Sequence, residues 1–459
     1  MAPTRIIVNG FKASMTTHTT AGLWRHPESQ ATRYDELEFW IDRARTLERY
    51  GFDGLFIADS FGVPDVYHGS AEQAVREGLQ VPSTDPSLMI SAMAAATKRL
   101  GFGITFPTTA TLPYDIARKL STLDQLSGGR IGWNIVTGLS SNAVRALGTG
   151  GELDHDERYD RADEFLEVAY RLWEDCWDDD AVLLDRVNGD YADPERVRPI
   201  SFEGDHFRVH GIHMSAPTPQ RTPLLLQAGS SERGREFAAR HAEVVFASAP
   251  TPTILRRTVD DLRRRASLHG RDPRSLKVLS ILTVVTGLDD AAAQERYEHY
   301  RSYASAEGNL ARFAATVGID IGVLDFDEPL EYSQAPGIRT ILENFTRADP
   351  HRVWTPREIA DHMAVSSFGP LLVGGPEHVA DEIERWSREA DIDGFNLVDV
   401  VPGRSFEEFG DYVLPELARR GVWERPVSGT WRSQLFGSGH DRLSDDHPGS
   451  PRHRRMRDT

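Results

Sequence analysis

Short apolar runs alternate with longer segments of helical period along most of the chain. Eight runs are short and rich in aliphatic or β-branched residues, as buried strands are, and they cover residues 5–11, 54–59, 100–106, 131–137, 224–228, 244–248, 276–285 and 394–400. Apolar residues between these runs recur at a spacing of three to four, for example Leu37, Trp40, Ala44 and Leu47. This alternation predicts repeated βα units and a parallel sheet.

Helices are predicted between the strands at residues 34–50, 86–97, 114–126, 158–173, 232–241, 252–268, 291–304 and 376–390. Eight βα units in sequence predict an α/β fold, a closed (β/α)8 TIM barrel. A doubly wound open sheet is the alternative that the same pattern leaves open.

Three segments are too long to be simple connections, namely residues 60–84, 178–222 and 308–368. Long loops in compact domains are usually functional, so we expect them to be insertions over the active face of one domain that covers residues 1–436. Residues 437–459 are polar and rich in His, Asp, Arg and Pro. We expect them to form a polar C-terminal tail, either a surface arm or disordered.

Charge and composition exclude several classes of protein. The chain has 52 Lys and Arg against 70 Asp and Glu, a net charge of −18, which repels nucleic acids and anionic membranes. The single cysteine, Cys176, allows neither an internal disulfide nor a thiolate metal cage. No apolar run of about 18 residues predicts a membrane span, and we expect a cytoplasmic protein.

Polar residues follow several predicted strands at their carboxyl ends, where the loops of a barrel build its active face. They include Asp59, Thr105, Thr137 and the run from Gln227 to Ser231. Any one of them could simply cap the next helix, but together they predict a site at one mouth of the barrel. No nucleophile elbow, phosphate-binding Walker loop or zinc spacing is present, and no metal site is predicted.

Two short stretches are candidates for binding an anion. Gly229, Ser230 and Ser231 join a strand to a helix, where free N–H groups and hydroxyls can hold a phosphate, although an ordinary N-cap has the same sequence. His155 and Tyr159 are four residues apart on one helical face and are candidate donors to an anionic ligand. An ordinary first helical turn is the alternative.

His18 lies in a Thr-rich stretch directly after the first strand, and therefore also at the mouth. It is a candidate to donate a proton or a hydrogen bond to substrate or to a peroxide intermediate. A structural loop histidine is the alternative.

Several longer motifs occur in a fixed order along the chain. They are residues 21–27 (AGLWRHP), 52–59 (FDGLFIAD), 133–137 (WNIVT), 155–160 (HDERYD), 192–194 (ADP) and 227–229 (QAG). In type and order they resemble the bacterial-luciferase-like flavin monooxygenases, in the branch of the nitrilotriacetate, EDTA, dibenzothiophene sulfone, dimethyl sulfide and long-chain alkane monooxygenases. The resemblance covers about residues 6–435.

The resemblance implies a barrel that binds reduced FMN, supplied by a separate NAD(P)H-dependent flavin reductase. One atom of O2 would enter a small organic substrate, by hydroxylation or by oxidative C–N or C–S cleavage. The resemblance also implies a homodimer or homotetramer, and it implies FMN contacts at Asp59, Thr105, Thr137, His155, Tyr159 and Ser230. We add Gly229 and Ser231 to these cofactor-binding candidates.

The chain also departs from the long-chain alkane branch. Met15, Pro64 and Leu139 stand where that branch carries Cys, Tyr and His, which disfavours alkane hydroxylation. His18 and Gln80 are kept and are the candidate catalytic residues. A strongly acidic substrate would need basic residues at the mouth, and the sequence offers only Arg25 and Arg76.

Two other functions remain open at this stage. A deazaflavin-dependent oxidoreductase on the same barrel would transfer hydride without oxygen. A flavin-binding partner subunit would have the same fold but no catalytic activity.

Overall fold

A computed structural model describes residues 5–138, 140–148, 153–229, 231–331, 339–346 and 352–457. Its strands are β1 Ile7–Ala13, β2 Gly54–Ala58, β3 Gly101–Pro107, β4 Ile131–Val136, β5 Val182–Asp185, β6 Asp190–Ala192, β7 Ile200–Glu203, β8 Arg208–Gly211, β9 Leu224–Gln227, β10 Val244–Phe246, β11 Lys277–Thr286, β12 Leu371–Gly374 and β13 Gly394–Val398.

The α-helices of the described residues are α1 Leu37–Tyr50, α2 Glu72–Glu77, α3 Ile90–Ala95, α4 Pro113–Ser127, α5 Ser141–Leu147, α6 His155–Glu174, α7 Glu232–His241, α8 Pro252–Leu268, α9 Asp290–Arg301, α10 Ala306–Val317, α11 Arg339–Thr346, α12 Pro356–His362, α13 Pro376–Ala390, α14 Ser405–Glu408, α15 Leu414–Arg419, α16 Trp431–Phe436 and α17 Pro451–Arg457. None of these described helices combines the length and the apolar character that a bilayer span requires.

Eight parallel strands close into a barrel in the order β1, β2, β3, β4, β9, β10, β11 and β13. β13 pairs with β1, through Ile7 opposite Gly394, and so closes the ring. These are the eight strands that the apolar runs predicted, so the closed barrel is confirmed and the open sheet is wrong. β12 is an addition that pairs in parallel with the far end of β11.

A tryptophan fills the amino-terminal end of the barrel. Trp431 of α16 is fully buried, and it lies against glycines near the starts of β2, β3 and β4. A Cβ at Gly101 would lie 2.2 Å from the indole, and a Cβ at Gly132 2.6 Å from it. Glycine is therefore required at these positions, and the opposite, carboxyl end of the barrel is the end available for a site.

The segments 60–84 and 308–368 pack against each other beyond the carboxyl ends of the strands. Their apolar side chains form a separate small core, which we call the lid core, from Tyr67, Ala74, Leu79, Leu310, Phe313, Val317, Ile321, Leu330, Leu342, Phe345, Ile359 and Met363. The first segment follows β2. The second packs against it and also contacts the loop after β1, where the Ala21 N–H donates to Asn309 Oδ1 at 3.0 Å, so both lie at the carboxyl ends of the strands.

The segment 178–222 packs against the outer helices of the barrel. It connects the end of α6 to the start of β9, and therefore begins and ends at the amino-terminal side of the barrel. It contains two antiparallel hairpins; Phe207 contacts Phe165 of α6, and Tyr114 of α4 donates to the carbonyl of Ile212 at 3.1 Å. Its placement over the active face stays a prediction.

The polar tail packs on the surface of the barrel as far as it is described. His447 is fully buried, and its Nε2 donates to the carbonyl of His241 at 2.8 Å. The tail also contacts Tyr170 of α6 through the His447 ring. Polar composition did not predict this packing because a few buried contacts hold the segment.

Candidate active site

The start of α7 brings together three of the predicted cofactor-binding residues. Tyr159 of α6 is 6% exposed, and a Cβ at Gly234 would lie 2.7 Å from its Oη and 3.0 Å from Ser231 Oγ. Gly229 lies in the same turn, since its carbonyl carbon would be 3.1 Å from that Cβ. Only glycine at position 234 leaves room for the tyrosine hydroxyl beside the first helical turn.

Ser231 caps α7, as its sequence position suggested. The backbone N–H of Gly234 donates to Ser231 Oγ at 3.0 Å, so the serine hydroxyl hydrogen is free to donate elsewhere. The Gly229 N–H is bound to Gln227 Oε1 at 2.6 Å, which shapes the turn from β9. The capping and the anion-binding interpretations are therefore compatible, because the cap uses an acceptor lone pair and an anion needs donors.

His155 lies at the first residue of α6, near Tyr159 but facing solvent. Its side chain is 48% exposed and its Nδ1 donates to Asp156 Oδ1 at 2.8 Å. The rings of His155 and Tyr159 have centroids 5.3 Å apart. The structure therefore brings the pair to the entrance of the turn that begins α7.

Thr105 and Asn134 lie side by side on β3 and β4, inside the mouth of the barrel. Asn134 Nδ2 donates to Thr105 Oγ1 at 3.1 Å, and the threonine hydroxyl donates to the carbonyl of Ile57 at 3.1 Å. Asn134 Oδ1 is buried and has no donor within hydrogen-bond distance among the described residues. A buried acceptor of this kind suits a ligand that carries N–H groups, as a reduced flavin ring does.

Asp59 lies just beyond the end of β2 and is partly buried. Burial raises the pKa of its carboxyl from 3.8 to about 6, the negative charge of Asp85 adds to the rise, and the Ser60 N–H, which donates to Oδ1 at 2.8 Å, opposes it. One carboxylate oxygen thus has a backbone donor, and the residue changes charge near neutral pH.

His18 and Gln80 contact each other although they come from different segments. Gln80 Nε2 donates to His18 Nδ1 at 3.4 Å, and the two loops are joined by a parallel bridge between Thr17 and Leu79. Burial, followed by the positive charges of Arg312 and Lys12, lowers the pKa of His18 well below its ordinary value. Since Nδ1 accepts the amide, neutral His18 carries its proton on Nε2.

Thr137 and Ser230 are the cofactor-binding candidates that remain. Thr137 is buried directly after the end of β4, at 7% exposure. Ser230 and Leu139 lie outside the described residues. Among the described residues, no group of three or more His, Cys, Asp and Glu side chains has an arrangement that could hold a metal ion.

Sequence reasoning missed Arg312, a buried arginine on α10 in the segment 308–368. It is 6% exposed, and its Nε has no acceptor among the described residues. A signal was present in the sequence, because Arg312 lies between the apolar residues Leu310 and Phe313 on a helix whose face packs in the lid core. A charged residue within an apolar stretch marks a position that needs a specific explanation.

The two basic residues that the sequence did offer are both occupied. Arg25 donates to the carbonyl of Tyr303, and Arg76 pairs with Glu72 at 2.7 Å on the exposed surface of α2. Neither is a free cation at the mouth.

Comparison with known proteins identifies the family of the chain. The model of the luciferase-like monooxygenase family matches residues 12–393. The chain is 45% identical over 445 residues to a dimethyl-sulfide monooxygenase of Hyphomicrobium sulfonivorans, covering 97% of this chain and 93% of the relative.

Two solved structures share the fold over nearly their whole length. The crystal structure of a long-chain alkane monooxygenase has a TM-score of 0.90 at 42% identity, with 98% of this chain and 99% of that chain covered. A riboflavin lyase with modified FMN and riboflavin has a TM-score of 0.88 at 34% identity, with 97% and 98% covered. The prediction of a flavin-dependent monooxygenase is confirmed, and the chain belongs to the luciferase-like monooxygenase family.

Proposed function

We propose that the protein is the oxygenase of a two-component system, which uses reduced FMN and O2 to insert one oxygen atom into a small organic substrate. The observation that carries this proposal is the start of α7, where Tyr159 Oη and Ser231 Oγ lie beside the first turn of the helix, and Ser231 Oγ caps the Gly234 N–H of that turn. The first N–H groups of a helix have no carbonyl partner within the helix. A helix start with hydroxyl donors fits a phosphate-terminated flavin better than one without a phosphate.

When bound, reduced FMN activates O2, so that one oxygen atom enters the substrate and the other leaves as water while the flavin is oxidised. Tyr159 and Ser231 would hold the phosphate end. Asn134 Oδ1 and Asp59 would accept hydrogen bonds from the ring system, with Thr105 holding the asparagine amide in place.

The chain's other contribution is to keep water out and to supply a proton donor. The lid core lies over the strand ends and would shield the reacting groups from solvent. Neutral His18, oriented by Gln80, would present Nε2–H to the oxygen that is transferred or released. In this proposal His18 is the proton donor, and Gln80 is the residue that orients it.

We also propose that a separate NAD(P)H-dependent flavin reductase supplies the reduced FMN. A homodimer or homotetramer in the cytoplasm is the working form that we propose. Family membership supports both statements, because the motifs of this chain match the branch in which the sequence resemblance implies them.

The test is an anaerobic titration of the purified protein with reduced FMN and with reduced riboflavin, which lacks the phosphate. We expect Tyr159→Phe and Ser231→Ala each to weaken reduced FMN binding by about tenfold or more and to leave riboflavin binding nearly unchanged. Tyr50→Phe is the matched control, since its hydroxyl contacts Asp411 at 2.8 Å at the end of α1. Equal losses for both flavins would contradict the phosphate assignment.

Mixing the reduced complex with oxygenated buffer then separates the remaining alternatives. A transient absorbance change before the spectrum of oxidised flavin appears, with oxygen consumed, is expected of a monooxygenase. Tight binding of a reduced deazaflavin without oxygen consumption would favour the deazaflavin-dependent reaction instead. Flavin binding without either reaction would favour a partner subunit.

A further inference from the structure

The arginines buried in the described part of the chain differ in their partners. Seven are buried, and six of them bind a carboxylate or backbone carbonyls: Arg43, Arg130, Arg221, Arg263, Arg271 and Arg432. Arg312 is the exception, because it forms no hydrogen bond and no ion pair with any described residue. The chain carries an excess of 18 negative charges, and yet none of its described carboxylates pairs with Arg312.

Among the described residues, the Arg312 guanidinium contacts an aromatic ring. Its Cζ lies 4.8 Å from the centroid of Phe368, in a cation–π arrangement. Burial alone lowers the pKa of Arg312 to about 10, with no charged neighbour among the causes. A buried, unpaired charge costs free energy in the folded protein, so its retention needs a compensating anion at some stage of the protein's work.

The position of Arg312 connects it to the candidate catalytic residues. One turn before Arg312 on α10, Asn309 Oδ1 accepts the Ala21 N–H at 3.0 Å, so α10 packs on the loop that carries His18. The positive charge of Arg312 is also among the causes that lower the pKa of His18, the imidazole that Gln80 orients. Asn309 Nδ2 is buried without a hydrogen-bond partner among the described residues, so α10 carries two unpaired donors where it meets this loop.

We propose that Arg312 is the specificity-determining residue for substrate and that it binds a carboxylate group on a small organic molecule whose reacting atom is held near His18. Asn309 Nδ2 is a second donor on the same face of α10. This inference rests on the proposed monooxygenase function and adds to it the chemical class of the substrate. The fork of an arginine suits planar carboxylate recognition, and burial strengthens the contact.

The test uses matched pairs of probes, straight-chain alkanoates of four to ten carbons and their isosteric alkanamides. Binding to the protein holding oxidised FMN is measured by calorimetry. At least one alkanoate is expected to bind at least about tenfold more tightly than its amide, and Arg312→Met is expected to abolish that preference. Arg312→Lys keeps the positive charge but not the forked guanidinium, and should retain part of the preference for the alkanoate. Arg76→Met removes a paired arginine of the neighbouring α2. It is the control and should retain the whole preference.

Each other outcome overturns the proposal. The absence of any alkanoate preference in the unmodified protein would show that no anion is recognised. If Arg312→Met still unfolds cooperatively and keeps the preference for the alkanoate, another residue recognises the carboxylate. Arg312→Gln repeats this test if the methionine variant does not fold. Equal weakening of reduced FMN binding in the Arg312 variants would show that the charge serves the flavin. Failure of the unmodified protein to bind reduced FMN would instead refute the proposed function.

Discussion

Replacing Asp59 by asparagine is expected to stabilise the flavin-free protein at neutral and alkaline pH. Burial, together with the charge of Asp85, raises the pKa of Asp59 from 3.8 to about 6. The folded state therefore holds the proton more tightly than the unfolded state does. The stability that protonated Asp59 contributes is fully present below pH 3.8 and is lost as the pH rises through about 6.

The size of this effect follows from the two pKa values. A difference of about 2 units corresponds to up to about 3 kcal/mol at pH 8, where Asp59 is ionised in both states, and to about half of that at pH 5. The asparagine variant avoids the cost of the buried charge, so its advantage over the unmodified protein should grow between pH 5 and pH 8.

Urea unfolding of both proteins, followed by circular dichroism at pH 5 and pH 8, measures this difference. Asp42→Asn is the control, because Asp42 is on the exposed face of α1 and pairs only weakly with Arg45 at 3.5 Å. A variant that is no more stable than the unmodified protein at pH 8, or whose advantage is the same at both pH values, would refute the reasoning. If Asp59 also accepts a hydrogen bond from the cofactor, the stabilised variant will bind reduced FMN less tightly.

Three further substitutions test the packing around the site and the barrel. Arg432→Met should lower the free energy of unfolding in urea by about 3–5 kcal/mol, because it leaves Glu243, its partner at 2.7 Å, buried without an ion-pair partner. Adding Glu243→Gln should recover part of this loss, and equal stability of the single and double variants would contradict the prediction. Gly234→Ala should weaken reduced FMN binding by about tenfold in an anaerobic titration, because its Cβ would lie 2.7 Å from Tyr159 Oη. Unchanged affinity would show that the tyrosine does not bind the cofactor. His447→Ala should lower the free energy of unfolding in urea by about 1–3 kcal/mol, because the hydrogen bond to the His241 carbonyl is lost. An unchanged unfolding midpoint would mean that the tail does not stabilise the barrel.

The barrel itself could be predicted because each of its strands is a buried apolar run. Ile131–Val136, for example, lies within one residue of the predicted 131–137, since strands with helices on one side and the barrel interior on the other show no polar face. β12 was missed because it is only four residues long, Leu371–Gly374, and pairs with the end of one strand. Local pattern does not encode such a pairing.

Topology determines the part of the candidate site that the sequence predicts. Asp59, Thr105 and Thr137 are candidates because they lie at or near strand ends, and a parallel barrel places all strand ends of one polarity at one mouth. Contacts between side chains from distant segments were not predictable in this way. The hydrogen bond between Gln80 and His18 depends on how the segment 60–84 folds back on the loop after β1.

The contrast between the strand ends and the two lid segments suggests which part of the molecule determines substrate specificity. The candidate cofactor contacts come from strand ends and helix starts of the barrel, whose positions are fixed by the closed sheet. Gln80 and Arg312 come instead from the two segments that share the lid core. Gln80 contacts His18, and the positive charge of Arg312 lowers the pKa of His18. Substitutions within the lid core can therefore move a charge or an amide relative to His18 without altering the barrel, so the same cofactor chemistry can be directed at different substrates by changing the lid alone.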